Sequence, residues 1–226
     1  STIEQVHRFT DKIERGLEEK QVCSAVFLDV AQAFDRVWHL GLLYKIKKLL
    51  PENHYWILKS YLECRSFRVR FNGAFSDFST IKAGVPQGSV LGPYLYNLFT
   101  HDIPCDNNSM METFADDTGI ASLGRTLTEA NEKTQYTVNR VGKWTWKWGI
   151  TLNSAKSAHT IFTNRKVGYL PVYLDGEVIP YSDVSRYLGL HLDSKLNWGE
   201  HIRKKVKEIN KIEINIWRNF INNNGL

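Results

Sequence analysis

The chain has 226 residues, 42% of them hydrophobic and 23% charged, with a formal net charge of +5. That balance allows one large domain, or a main domain with a smaller appendage, excludes a disordered or low-complexity chain, and favours a polyanionic partner without requiring one. Cys23, Cys64 and Cys105 are scattered without metal or disulfide spacing, and the apolar runs at 24–30 and 90–99 fall far short of the ~20 residues of a membrane span, so a reduced, soluble, intracellular protein with no membrane partner is expected.

Ile3, Val6, Phe9, Ile13 and Leu17 recur every three or four positions and predict an opening helix. Residues 22–30 read as a buried strand, apolar throughout until Asp29 interrupts its end. Two helices broken by Pro51 fill 38–62, and the alternation Phe67-Arg68-Val69-Arg70-Phe71 before Asn72-Gly73 predicts a hairpin into 74–81. Ala83-Gly84-Val85-Pro86-Gln87-Gly88-Ser89 is a loop, followed by a helix over 90–103. Short strands at 111–115 and 118–122 flank Asp116-Asp117, a long helix over 126–148 closes at Gly149, and strands follow at 158–163, 171–174 and 184–192. Trp144, Trp146 and Trp148 on the long helix read as core packing. An amphipathic helix runs from about Trp198 to Phe220 with basic residues His201, Arg203, Lys204, Lys205, Lys207 and Lys211, which serve equally as a solvated face or a phosphate-tracking one. The mixture is α+β, and the composition change near Asp193 is the one candidate boundary. The start at Ser1 without methionine reads as a piece of something longer.

Asp29 ends an apolar strand, while Asp116 and Asp117 occupy a hairpin tip. An Asp-Asp pair in a turn is commonly a turn-former or helix cap. Two such strands side by side would instead gather the acids, and their mutual repulsion requires protonation or neutralising cations. Magnesium suits an all-oxygen site, and two such ions ~4 Å apart activate an attacking hydroxyl and stabilise the leaving oxygen of a phosphoryl transfer.

Three ordered strings carry a resemblance: Phe27-Leu28-Asp29-Val30-Ala31-Gln32-Ala33-Phe34-Asp35-Arg36-Val37, Ala83-Gly84-Val85-Pro86-Gln87-Gly88-Ser89-Val90-Leu91-Gly92-Pro93, and Phe114-Ala115-Asp116-Asp117. Together they resemble the motifs of reverse transcriptases. The run Ala33 to His39 and the Phe-Ala-Asp-Asp form are similar to non-LTR (LINE-like) retrotransposons, particularly the jockey type, more than to retroviruses. The resemblance continues through Gly149 to Lys156 and Tyr187-Leu188-Gly189.

The resemblance implies a right-hand polymerase palm, an antiparallel sheet with helices packed on one face, with partial fingers and palm over 1–192 and the start of the thumb over 193–226. It implies an RNA-directed DNA polymerase that extends a primer 3′-hydroxyl with deoxynucleotides on an RNA template, using two Mg2+ ions for which Mn2+ can substitute. Asp29 and Asp116 would be the chief metal ligands, with Asp117 more peripheral and the Val30 carbonyl beside them. Phe34 would pack beneath the incoming sugar and exclude a 2′-hydroxyl; its alternative is a core aromatic. Gln87 and Gly88 would lie against the nucleotide, Lys156 near the leaving pyrophosphate as a general acid, and Tyr187, Leu188 and Gly189 at the primer terminus. Partners would be an RNA template, a DNA primer (nicked chromosomal DNA) and deoxynucleoside triphosphates. The remainder of the parent polyprotein, with an endonuclease, the full thumb and the triphosphate-gripping fingers residues, would lie outside this chain. Action in the nucleus with cytoplasmic assembly is expected. The rivals are a catalytically inactive nucleic-acid-binding remnant, another two-metal phosphoryl transferase such as a nuclease, and a group II intron-type enzyme.

Overall fold

The computed structural model describes residues 2–224, the side chains of 215 and 217–224 excepted. The three- and four-residue apolar spacing forms α1 (Thr2–Glu18), which buries Val6, Phe9, Ile13 and Leu17. The uninterrupted apolar run forms β1 (Val22–Val30), whose first seven residues are buried. Pro51, with no N–H to donate, separates α2 (His39–Leu49) from α3 (Glu52–Leu62). A long hairpin follows, built of β2 (Ser66–Phe67), β3 (Arg70–Phe71), β4 (Ala74–Phe75) and β5 (Ser79–Thr80). Asn72 and Gly73 turn it with φ of 47° and 83°, the double left-handed geometry of a type I′ turn.

After α4 (Leu91–Thr100) come β6 (Ser109–Phe114) and β7 (Asp117–Gly124). The long helix α5 (Leu127–Trp148) starts at Thr126, whose hydroxyl accepts the Glu129 N–H, and stops at Gly149 with φ 69°. Then follow β8 (Leu152–Phe162), β9 (Tyr173–Leu174), β10 (Glu177–Val178), β11 (Val184–Tyr187), β12 (Leu190–Asp193) and α6 (Gly199–Asn224). The Asp193 carboxylate accepts the backbone N–H groups of Lys195, Asn197 and Trp198, fixing the turn into α6.

β8 begins at Leu152, well before the apolar signal at 158: its first half is mostly polar and gives no apolar pattern, yet it pairs with the end of β1. The expected single strand at 184–192 is a hairpin, β11 with β12, and the strand at 171–174 is the two-residue β9 paired with β10.

The main sheet is antiparallel, in order β6-β7-β1-β8. Its two faces are both covered. Cys23, Ala25 and Phe27 pack with α1, Tyr187 and Leu192, whereas Val26 and Leu28 pack with Ile120 and with Val138 and Val141 of α5. The expected palm sheet is present, but with a helix on each face rather than helices on one; the apolar character of both parities of β1 requires this. A third cluster joins Leu42, Ile46, Leu62, Leu95 and Phe99 to Trp144 and Trp148 at the end of α5. Trp146 departs from the core reading: it is 86% exposed, while Trp144 and Trp148, one turn apart, are buried.

Candidate active site

β1 and β7 pair as far as Leu28 opposite Thr118, and β6 and β7 close at Phe114 opposite Asp117. Asp29 and Asp117 are the next residues beyond that last β1–β7 pair, and Ala115 and Asp116 form the hairpin tip. Ala115 holds φ 53°, a left-handed conformation unfavourable for a residue with a Cβ and of the kind found at functional turns. The three acids therefore meet at one end of the central strands. Asp29 and Asp117 line a cleft of about 400 Å³ with Lys156, Arg186, Leu188 and Gly189. Asp116 lines a neighbouring cleft of about 370 Å³ with Val30, Phe34, Gln87 and Gly88.

A break in register prepares the first cleft. Phe27 pairs with Ala158 and Asp29 with Asn153, so two steps along β1 match five along β8. The bulged residues hold their own contacts. The Asp29 N–H donates to Ser157 Oγ at 3.1 Å, Ser157 Oγ donates to Asn153 O at 2.7 Å, and the Lys156 N–H donates to Asn153 Oδ1 at 3.1 Å. The bulge thus fixes the backbone of the catalytic candidate Asp29 and places Lys156 beside the acids rather than in the Gln87 cleft.

Burial pushes the Asp117 carboxyl above the usual range; the charges of Asp116 and Asp29 add to this, and Arg186 opposes it. Tyr96 is pushed up to about 12 by burial and by the charge of Asp116. Among the described residues no three His, Cys, Asp or Glu side chains close on a point suited to a metal ion. Asp116 on the turn and Asp117 at the first position of β7 are both exposed to solvent.

The second cleft is walled by the glycine loop. Phe34 stacks on Tyr96 with ring centroids 4.7 Å apart and planes at 21°. Half-buried, it both packs and lines the cleft, so the two readings of this residue coexist. Gln87 Nε2 donates to Asp35 Oδ1 at 2.9 Å. Gly84 has φ 93°, and a Cβ there would meet the Asp35 backbone at 3.0 Å. His39 Nε2 lies 2.8 Å from the Gly84 carbonyl.

Tyr187 is placed differently from the expectation that it meets a primer. It is 2% exposed, with its ring 5.0 Å from Phe9 and 5.3 Å from Phe27. Its side chain belongs to the core beneath the cleft, and Leu188 and Gly189, turning with φ 46° and 82°, are the residues that reach the cleft wall. Arg186, Ser157, Asn153 and Asp35 were not singled out from sequence. Each is an ordinary polar residue whose place at the site comes from the bulge in β8, from the Gln87 loop or from the packing of β11, none of which has a local sequence signal. On α6, Arg203 pairs with Glu200 and Lys205 with Glu208, so part of its basic face is already neutralised.

A profile of the family described as "Reverse transcriptase (RNA-dependent DNA polymerase)" matches residues 2–192. The chain is 42% identical over 206 residues to the "Probable RNA-directed DNA polymerase from transposon X-element" of Drosophila melanogaster, covering 89% of this chain and 23% of that protein. It is 39% identical over 209 residues to the "RNA-directed DNA polymerase from mobile element jockey" of the same organism, again covering 89% and 23%. The chain thus spans about a quarter of the length of these curated relatives. Among solved structures it is similar to apo telomerase from Candida tropicalis truncated from the C-terminal domain, with TM-score 0.60 and 17% identity, covering 88% of this chain and 39% of that one. At that identity the likeness is one of fold. Among the described residues no helix is long and apolar enough to cross a membrane.

Proposed function

The chain belongs to the reverse transcriptase family, and from that premise we propose that it is the polymerising core of a non-LTR retrotransposon's RNA-directed DNA polymerase, adding deoxynucleotides to a primer 3′-hydroxyl on an RNA template. The observation that carries the reading is the convergence of Asp29, Asp116 and Asp117 at the junction of two clefts. One cleft has the aromatic and glycine-rich lining suited to a nucleotide; the other has a lysine, an arginine and a glycine turn suited to a strand end and phosphates.

An oxygen-only set of mutually repelling carboxylates, with Asp117 pushed above the usual carboxylate range by burial and by its acidic neighbours, is what a divalent cation would relieve. Asp29 and Asp116, with the Val30 carbonyl and the more peripheral Asp117, would hold two Mg2+ ions, Mn2+ substituting. When bound, such ions lower the pKa of the attacking hydroxyl and stabilise the leaving oxygen. Phe34, held flat by Tyr96, would underlie the sugar of an incoming deoxynucleoside triphosphate and exclude a 2′-hydroxyl. Gln87 and Gly88 would flank the same nucleotide. Lys156 would supply a proton to the departing pyrophosphate from the acid side of the site. Leu188 and Gly189 would steady the DNA primer, and buried Tyr187 would anchor their turn.

Residues 1–192 would be partial fingers and palm, and 193–226 the start of the thumb. The missing lengths of the relatives would supply the remaining thumb and an endonuclease, with assembly in the cytoplasm and action in the nucleus. The test is primer extension on poly(rA)/oligo(dT) with Mg2+, by this chain and by a longer product of its reading frame. Extension that Asp116→Ala removes supports the reading. A longer product that retains the duplex on a gel yet incorporates nothing would leave a binding remnant in its place.

A further inference from the structure

The hairpin from β2 to β5 has no share in either cleft, yet every residue from 66 to 80 is exposed. A two-stranded hairpin without a core on either side is marginal in water, and this one displays Phe67, Phe71, Phe75 and Phe78 at 51–75% exposure. Its construction is nevertheless specific. The Arg68 guanidinium lies 4.0 Å from the centroid of Phe75 and 5.1 Å from that of Phe78, and Arg70, paired across the ladder with Phe75, lies 5.5 Å from the same ring. Strand alternation sends Phe67, Val69 and Phe71 to the other face.

One face therefore carries two guanidiniums laid on two aromatic rings. Among the described residues no carboxylate forms an ion pair with either, although Asp77 lies in the same hairpin. Stacking pre-orients an arginine fork without neutralising it. Unpaired cations beside exposed rings complement phosphates and bases presented together by a single strand, and offer little to an apolar protein surface. Position agrees with this. β5 runs on through Ile81 and Lys82 into the loop that carries Gln87, and Gln87 lies seven positions after Thr80, a span of at most about 25 Å.

We propose that the Arg68, Arg70, Phe75 and Phe78 face of this hairpin is a binding surface for single-stranded nucleic acid, receiving the template strand on its way to the Gln87 cleft. The template assignment rests on the polymerase reading; the binding assignment does not. The test uses the whole chain with Arg68→Ser/Arg70→Ser and Phe75→Ala/Phe78→Ala, whose unchanged thermal melts would verify folding, since none of the four contributes to a core. Fluorescence anisotropy with a labelled 20-nucleotide oligo(rU) is the first readout. The arginine variant should bind more weakly and lose up to about 1.4 from the slope of log K against log salt, at about 0.7 per phosphate contact. The phenylalanine variant should lose roughly fivefold or more with little change in slope. Primer extension on templates with a long and with a two-nucleotide single-stranded overhang is the second readout, and both variants should be impaired on the long overhang only.

Weaker oligo(rU) binding by the variants, where neither this chain nor its longer product extends a primer, retains the surface and fails the polymerase reading. Equal binding and equal slope in all three proteins overturns the surface, whatever the extension assay gives. Sedimentation showing a dimer that the variants dissociate, with oligo(rU) affinity unchanged, also overturns it in favour of contact between copies of the chain.

Discussion

Gln87 is tied to Asp35: its side-chain amide donates to Asp35 Oδ1 at 2.9 Å, joining the glycine loop to the segment that follows β1. With one of its two amide N–H groups so engaged, the second, the Gln87 carbonyl and the Gly88 backbone are what the loop offers to the cleft. Asp35→Ala removes the tether without touching a carboxylate of the acid cluster. The expected result is a rise in KM for the deoxynucleotide of about two- to tenfold, the worth of one net hydrogen bond, with kcat little changed. A fall in kcat at constant KM would place Asp35 in the chemistry instead.

Among the described residues Lys45 is the least exposed Lys, Arg, Asp or Glu, at 3%. Its ammonium donates to Phe99 O and Asp102 Oδ1, both at 2.5 Å, and lies 3.7 Å from the centroid of the Trp148 ring. Burial pulls its pKa down, against the hydrogen bond and charge of Asp102. For Asp102 burial works upward, but the hydrogen bond and charge of Lys45 and the bond from Trp144 prevail and hold its carboxyl below the usual range. Lys45→Met should cost about 2–3 kcal/mol, somewhat below a fully buried pair because Asp102 is 39% exposed. In a chain of this size that is a drop of about 5–10 °C in Tm. The Asp102 contribution is present above the ordinary carboxylate pKa and is lost as pH falls through the depressed folded value. The variant should therefore show a shallower acid limb in a pH series of denaturation midpoints.

Much of this arrangement was legible in the residues. The two-sided apolar run of β1 ending in Asp29, Asn72-Gly73 at a hairpin and Gly149 at a helix end each combine a local preference with a local outcome. Family strings then placed the acids and the glycine loop. What escaped was tertiary. Ser157 reaches Asp29 across 128 positions through a bulge with no pattern of its own. Tyr187 reads as a strand-end residue until α1 and Phe27 are seen to close over it. Helical spacing alone separates Trp146 from Trp144 and Trp148, since positions two apart lie on opposite sides; that signal was available in the sequence.

If the three aspartates hold divalent cations, the folded chain should gain stability from them. At a free Mg2+ or Mn2+ concentration ten times Kd, one site adds about 1.4 kcal/mol. Differential scanning fluorimetry should then show Tm rising by about 3–5 °C. Asp29→Asn and Asp116→Asn should melt at or above the wild-type metal-free temperature, because each removes a repelling charge, and should lose the metal response. An equal rise in both variants would assign the cations elsewhere.

His159 gives the fold a pH dependence separate from the acid cluster. Fully buried on β8, its Nε2 lies 2.9 Å from Ser24 Oγ, which itself donates to Asn131 Oδ1 at 3.4 Å. The one Ser24 proton being directed to Asn131, the imidazole Nε2–H donates to Ser24, an assignment made from the network. Nδ1 is then a buried acceptor without a hydrogen-bond partner, and a proton added there would be a buried charge. Desolvation pulls the His159 pKa down to about 4. Its unfolded value is about 6.5, so between those pH values the unfolded chain binds more protons and stability falls as pH falls. Integrated from pH 7 to pH 4.5, the loss is about 2.5 kcal/mol. His159→Gln keeps a donor for Ser24 and has nothing to titrate in this range. Urea denaturation at pH 7, 5.5 and 4.5 should therefore show the wild-type midpoint falling more steeply than the variant's, and parallel curves would mean that His159 is solvated or already charged in the folded chain.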